Sequence, residues 1–181
     1  PDNITLIGFM GCGKSSVAKA LKHYYPKFHV ADCDSLIETK AGKSISDIFS
    51  EEGENIFRGL ESIAIGEVLG KEKAIVATGG GVILRESNRQ TIQSRSWVIW
   101  LSAEPETIYE RIKTEHHRPL INTGRDPESI ISQIRMILHQ RFELYRDMMD
   151  VMINTDALSP DQVASAIYEE IERLKACSKN G

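Results

Sequence analysis

The sequence has little of what marks a secreted, metal-clustered or membrane-spanning protein. Cysteine occurs three times in 181 residues, as Cys12, Cys33 and Cys177. Their spacing matches no thiolate metal site, and an odd number cannot close into pairs, which suits a reducing compartment. No apolar run reaches the length of a membrane span and no secretory leader is visible, so a cytoplasmic location is expected. Positive charge is in short supply as well: 22 Lys and Arg against 26 Asp and Glu give a net charge of −4. Without a basic surface, neither nucleic acid nor an anionic membrane is an expected partner, and small molecules are. Repeats, low-complexity tracts and dividing linkers are also missing, so one domain is expected over 1–181.

What is present is a rhythm of short apolar runs, at 4–7, 28–31, 74–77, 97–101 and 151–153, separated by stretches of helical period. Most of these runs are continuously apolar rather than alternating, the mark of strands covered on both faces. The expected fold class is therefore α/β, a three-layer sandwich with a five-stranded parallel sheet flanked by helices.

The first run leads into Gly8-Phe9-Met10-Gly11-Cys12-Gly13-Lys14-Ser15, which fits G-x-x-x-x-G-K-[ST]. Glycine there lets backbone amides turn inward around phosphate oxygens. Lys14 adds a point charge, Ser15 a hydroxyl for Mg²⁺, and the helix through Val17, Ala18 and Leu21 its positive end. A strand before the loop and a helix after it are the context that gives the motif its meaning.

Asp32-Cys33-Asp34 follows the second run. Alternate side chains of an extended chain share a face, which would bring both carboxylates together, one for a metal and one for a substrate. The competing reading makes Asp34 the N-cap of a helix through Ser35-Leu36-Ile37-Glu38. Thr78-Gly79-Gly80-Gly81 follows the third run. Three successive glycines raise the entropic cost of folding, so either something bulky lies against this backbone or the loop is simply flexible. In parallel sheets ligands collect beyond the carboxyl ends of the strands, and these three groups are expected to face one crevice.

Over 52–69 the spacing of Ile56, Leu60, Ile63, Ala64 and Val68 predicts a helix with an apolar stripe. Arg58 lies off that stripe, one turn from Glu61, where a surface ion pair is the plainest role. Asp126-Pro127-Glu128 opens a later helix with Ile130, Ile134, Ile137, Leu144 and Met148 along one face. Arg141 stands where that period calls for an apolar residue, so it either meets an acid or an anionic ligand, or snorkels to water. The polar stretch 114–126 is expected to be a mobile cover, with Arg111, Arg118 and Arg125 able to bring charge onto a phosphate. His116 and His117 lack metal-site spacing. A last helix through Val163, Ile167, Ile171 and Leu174 reads as packing.

In this order, the glycine loop, Asp32-Cys33-Asp34, Gly53-Glu54-Asn55-Ile56-Phe57-Arg58, Gly79-Gly80-Gly81, Arg118-Pro119-Leu120 and Arg141-x-x-x-Tyr145 resemble shikimate kinase over nearly the full chain. The resemblance implies a P-loop NTPase of the nucleoside-monophosphate-kinase type, with a core of 1–34, 72–110 and 127–177. It implies a substrate-binding region of 35–71 and a lid of 112–126. The implied activity is ATP-dependent phosphorylation of the 3-hydroxyl of shikimate, in the chorismate route to the aromatic amino acids, by a monomer using Mg²⁺. Gly11, Cys12, Gly13, Lys14, Ser15 and Ser16 would bind the ATP phosphates, with Arg111 near the adenine and Arg118 reaching over from the lid. Ser15 and Asp32 would hold the metal. Asp34 would take the reacting hydroxyl, Arg58 and Arg141 the carboxylate, and Gly79, Gly80 and Gly81 would lie along the substrate. Lys14, Asp34 and Arg118 would be the catalytic groups.

Cys12 and Cys33 stand where the family more often has other small residues. At a helix N-terminus Cys12 is expected to be a reactive thiolate that bound nucleotide shields. The rival readings are another small-metabolite kinase of the same loop class, such as a gluconate kinase, and a nucleotide-binding regulator without turnover.

Overall fold

The computed structural model describes residues 2–113 and 126–179. Its five strands are β1 (Asn3–Ile7), β2 (His29–Asp32), β3 (Ala74–Ala77), β4 (Ser96–Ser102) and β5 (Val151–Asn154), all parallel in the order β2-β3-β1-β4-β5. Between them run α1 (Lys14–Leu21), α2 (Cys33–Ala41), α3 (Ile45–Glu51), α4 (Glu54–Leu69), α5 (Glu86–Arg95), α6 (Pro105–Ile112), α7 (Pro127–Met148) and α8 (Pro160–Lys179). This is the three-layer α/β sandwich that the continuously apolar runs imply.

Strand alternation divides the core in two. Ile4, Leu6, Ile75, Ala77, Ile99 and Leu101 pack with α1, α6, α8 and the first half of α7. Ile7, Ala74, Val76, Val98 and Trp100 pack on the other face with α4, α5 and the end of α7. A third, smaller cluster of Ile37, Ile48, Phe57 and Ala64 ties α2, α3 and α4 together beside the sheet. The central strands β1 and β3 are buried throughout, whereas the edges β2 and β5 are partly open, with Val30 and Met152 exposed. Edge strands have a neighbour on one side only, so continuous burial could not extend to them.

Two helices differ from their expected apolar faces. In α4, Ile56 and Ile63 are exposed, while Phe57, Arg58, Glu61, Ala64, Ile65, Val68 and Leu69 are buried. The helix is rolled so that a charged pair faces inward, a trade that counting apolar residues cannot anticipate. In α7 the buried face is Ile130, Ile134, Arg141, Tyr145 and Met148, so Tyr145 takes the inward place between Arg141 and Met148. Asp126 caps α7 by accepting from the Ser129 N–H at 3.0 Å, with Pro127 in its first turn. Ser159 and Gln162 exchange bonds at the start of α8, a reciprocal cap. Among the described residues no helix is long and apolar enough to cross a membrane.

Candidate active site

The loop after β1 and the start of α1 close around a cavity of about 390 Å³ lined by Gly11, Gly13, Lys14, Ser15, Asp32 and Arg111 among others. Gly8 sets the loop's exit from the strand. Its φ is +144°, and a Cβ there would lie 2.3 Å from the Leu101 carbonyl oxygen, so no side chain fits. Lys14, buried, folds back over the loop and donates to the Gly8 and Phe9 carbonyls, each at 2.8 Å.

Asp32 serves two neighbours with one carboxylate. Its Oδ1 accepts from the Ser35 N–H at 3.1 Å and caps α2, while its Oδ2 accepts from the Ser15 hydroxyl at 2.5 Å. The N-cap expected of Asp34 therefore belongs to Asp32, because α2 begins at Cys33 and leaves Asp34 inside the first turn. Asp34 still lines the same crevice.

Cys12 corrects the expectation of a reactive thiolate. It is 1% exposed, and burial pushes its thiol up despite the lowering pull of Lys14 and Arg111. A helix N-terminus favours a thiolate only where water can reach it, and this thiol is packed into the core. Burial likewise pushes the Cys33 thiol up, with Asp34 and Asp32 adding to it.

Against the phosphate cavity lies a second one of about 260 Å³, lined by Asp34, Arg58, Glu61, Gly79, Gly80 and Gly81, with Phe49 and Phe57 as its apolar wall. Those two rings pack at 4.6 Å. Met10, Asp34 and Gly80 line both cavities, so the two sides meet at them. Arg58 is no surface residue. It is 6% exposed and its NH1 bonds Glu61 at 3.0 Å, with Glu61 fully buried, while Nε and NH2 reach Glu54 at 3.3 and 3.2 Å. Burial raises the Glu61 carboxyl above its ordinary value of 4.5, and the adjoining Arg58 opposes that rise.

The triple glycine is close-fitted. A Cβ on Gly79 would lie 2.8 Å from Asp34 Oδ1 and 2.9 Å from Glu61 Oε1, and one on Gly81 would lie 2.4 Å from Arg58 NH1. The bulky neighbours that the glycines make room for are thus the acids and the guanidinium of the cavity itself. Arg141 is buried too, and it does not line the cavity. Its NH1 donates to the Gly80 carbonyl at 3.0 Å, and its guanidinium carbon lies 5.8 Å from the centre of the Phe9 ring.

Arg111 donates from NH1 to the Gly11 carbonyl at 3.1 Å and to the Thr155 hydroxyl at 3.0 Å, and from NH2 to the Thr155 carbonyl at 2.7 Å. It stands between the phosphate cavity and a neighbouring one of about 290 Å³ bordered by Thr155, Leu158 and Pro160. Thr155 escaped the sequence reading, although its position directly after β5 was a signal, since residues just past strand ends gather at this edge. Arg118, Arg125, His116 and His117, and nearly all of the expected lid of 112–126, lie outside the described residues.

A shikimate kinase family model matches residues 10–172. The shikimate kinase of Thermodesulfovibrio yellowstonii is 40% identical over 172 residues, covering 95% of this chain and 96% of that protein. That of Symbiobacterium thermophilum is 37% identical over 172 residues, covering 94% and 96%. The solved shikimate kinase from Acinetobacter baumannii in complex with shikimate superposes with a TM-score of 0.89 at 32% identity, over 96% of this chain and 94% of that one.

Proposed function

The chain belongs to the shikimate kinase family, and from that premise we propose that it transfers the γ-phosphoryl group of ATP to the 3-hydroxyl of shikimate, giving shikimate 3-phosphate and ADP. The observation that carries this reading is the meeting of the two cavities at Met10, Asp34 and Gly80, one lined by the glycine loop and Lys14, the other by buried Arg58 and its partner Glu61. A nucleotide-binding regulator gives no use for an arginine buried at the wall of a second cavity, as Arg58 is; gluconate carries a carboxylate too, and the family match is what favours shikimate over it.

Gly11, Cys12, Gly13, Ser15 and Ser16 bind the phosphates through the loop and the first turn of α1. Lys14 leaves the loop carbonyls to follow the transferring group, and Arg111 borders the adenine. Ser15 and Asp32 present two hard oxygens side by side at the mouth of the phosphate cavity. That fits Mg²⁺, which takes few protein oxygens and keeps water and substrate phosphates as its other ligands. Held there by Ser15 and Asp32, Mg²⁺ would neutralise phosphate charge.

On the acceptor side, Arg58 and Arg141 take the carboxylate, Gly79, Gly80 and Gly81 lie along the ring, and Phe49 and Phe57 cover its apolar part. Asp34 receives the proton of the reacting hydroxyl as its oxygen attacks phosphorus. Because phosphoryl transfer asks for position and charge more than for covalent help, these groups provide most of the acceleration. Region 35–71 acts as the substrate-binding part of a single domain, and the family resemblance assigns Arg118, outside the described residues, to the ATP phosphates. The enzyme works as a monomer in the cytoplasm.

ADP release measured with shikimate, gluconate and nucleoside monophosphates, each with ATP and Mg²⁺, tests the reading. Turnover with shikimate alone is expected. Turnover with another acceptor, or with none while ATP still binds, overturns it.

A further inference from the structure

The Gly80 carbonyl accepts two bonds from α7, one from Arg141 NH1 at 3.0 Å and one from the Tyr145 hydroxyl at 3.1 Å. Tyr145 is 1% exposed, and its ring stacks on Trp100 at 5.3 Å with 12° between the planes. A ring so held gives its hydroxyl one place to point. Neither Tyr145 nor Arg141 lines the acceptor cavity, whereas Gly79, Gly80 and Gly81 do. The carbonyl oxygen is therefore drawn away from the cavity. No cis peptide occurs among the described residues, so in the planar trans unit the Gly81 N–H points the opposite way from that carbonyl oxygen.

We propose that Tyr145 is a positioning residue for the acceptor: it holds the Gly80–Gly81 peptide so that Arg141 is able to leave the Gly80 carbonyl for the acceptor's carboxylate while the Gly81 N–H keeps its direction. This rests on the reading of the cavity as the site for a carboxylated alcohol. Without the hydroxyl, Arg141 is the remaining side-chain donor recorded for this half-buried carbonyl, and moving it to the ligand leaves that oxygen without a protein partner. Acceptor binding then carries the cost of an unmade hydrogen bond. With the hydroxyl, one lone pair of the carbonyl stays satisfied throughout.

Tyr145→Phe keeps the ring and its stack and deletes only the donor. The expected result is a rise of about five- to twentyfold in acceptor KM, roughly what one hydrogen bond is worth, with ATP KM and melting temperature close to wild type. Replacement of Tyr145 by p-aminophenylalanine, which restores a donor at the same place, is expected to return acceptor KM to near the wild-type value. An unchanged acceptor KM in Tyr145→Phe overturns the proposal, whatever happens to stability. So does an equal rise in the KM of both substrates, the sign of general loosening. If the phenylalanine chain is too unstable to assay, the p-aminophenylalanine chain decides: wild-type acceptor KM supports the proposal and a raised one overturns it. Failure of the underlying reading shows separately, as wild-type protein that does not turn over shikimate.

Discussion

The two cavities that meet at Asp34 and Gly80 are built by opposite means. The phosphate side is centred on one unbroken stretch, the loop 8–15 and the start of the helix it opens, to which Asp32, Thr78 and Arg111 add walls from elsewhere in the chain. The acceptor side is assembled from α2, α3, α4, the glycines after β3 and, through Gly80, α7, and at its centre the Arg58 and Glu61 side chains are buried and paired with each other. A backbone nest tolerates change at its side chains so long as its angles survive. A buried charge network does not, because removing one member leaves another charge unpaired in a medium of low polarity. Damage on the phosphate side should therefore appear in the chemical step, and damage on the acceptor side in recognition.

The largest expected break of this contrast is at Lys14, the one loop side chain placed to follow the transferring charge. Lys14→Ala is expected to lower kcat by about a thousandfold, with acceptor KM changed far less, as rapid-quench or coupled assays would show. A collapse of acceptor binding instead would erase the division between the two sides.

Next comes Gly81→Ala. The backbone at Gly81 is ordinary for an L-residue, with φ −107°, so the strain is entirely in the Cβ that would lie 2.4 Å from Arg58 NH1. Displacing that guanidinium is expected to raise acceptor KM by about ten- to fiftyfold and to leave ATP KM nearly as it was. Unaltered recognition would mean that Arg58 has no part in it.

That difference in construction also governs what could be read from the sequence. The phosphate loop was legible because its chemistry and its spacing are local. The sheet was legible because buried parallel strands are apolar throughout. Arg141 announced itself by interrupting the face of α7. Arg58 and Glu61 did not, since two charges three residues apart look like any surface pair until tertiary packing rolls α4 inward. Cys12 misled for the same reason: a loop position says nothing of burial, and burial pushes its thiol up. The triple glycine showed that something approaches, but that Asp34, Arg58 and Glu61 do so depends on how α2 and α4 pack against it.

The smallest expected effect concerns Glu61. Its carboxyl is held above 4.5 in the folded protein. The folded state thus binds that proton more tightly than the unfolded chain, and the stabilisation is full below about 4.5 and lost as pH rises through the raised folded value. Glu61→Gln removes the titration, so denaturation midpoints followed from acid to neutral pH are expected to change less steeply than in wild type. An identical slope would show that the pair with Arg58 cancels the effect of burial.

The most direct test of the division is equilibrium binding of both ligands to Arg141→Ala, with the acceptor and the nucleotide titrated separately. Loss of one charge-assisted, bidentate contact with a carboxylate is expected to weaken acceptor binding by about a hundredfold or more, with nucleotide affinity retained. Acceptor affinity kept while nucleotide affinity falls would contradict the account.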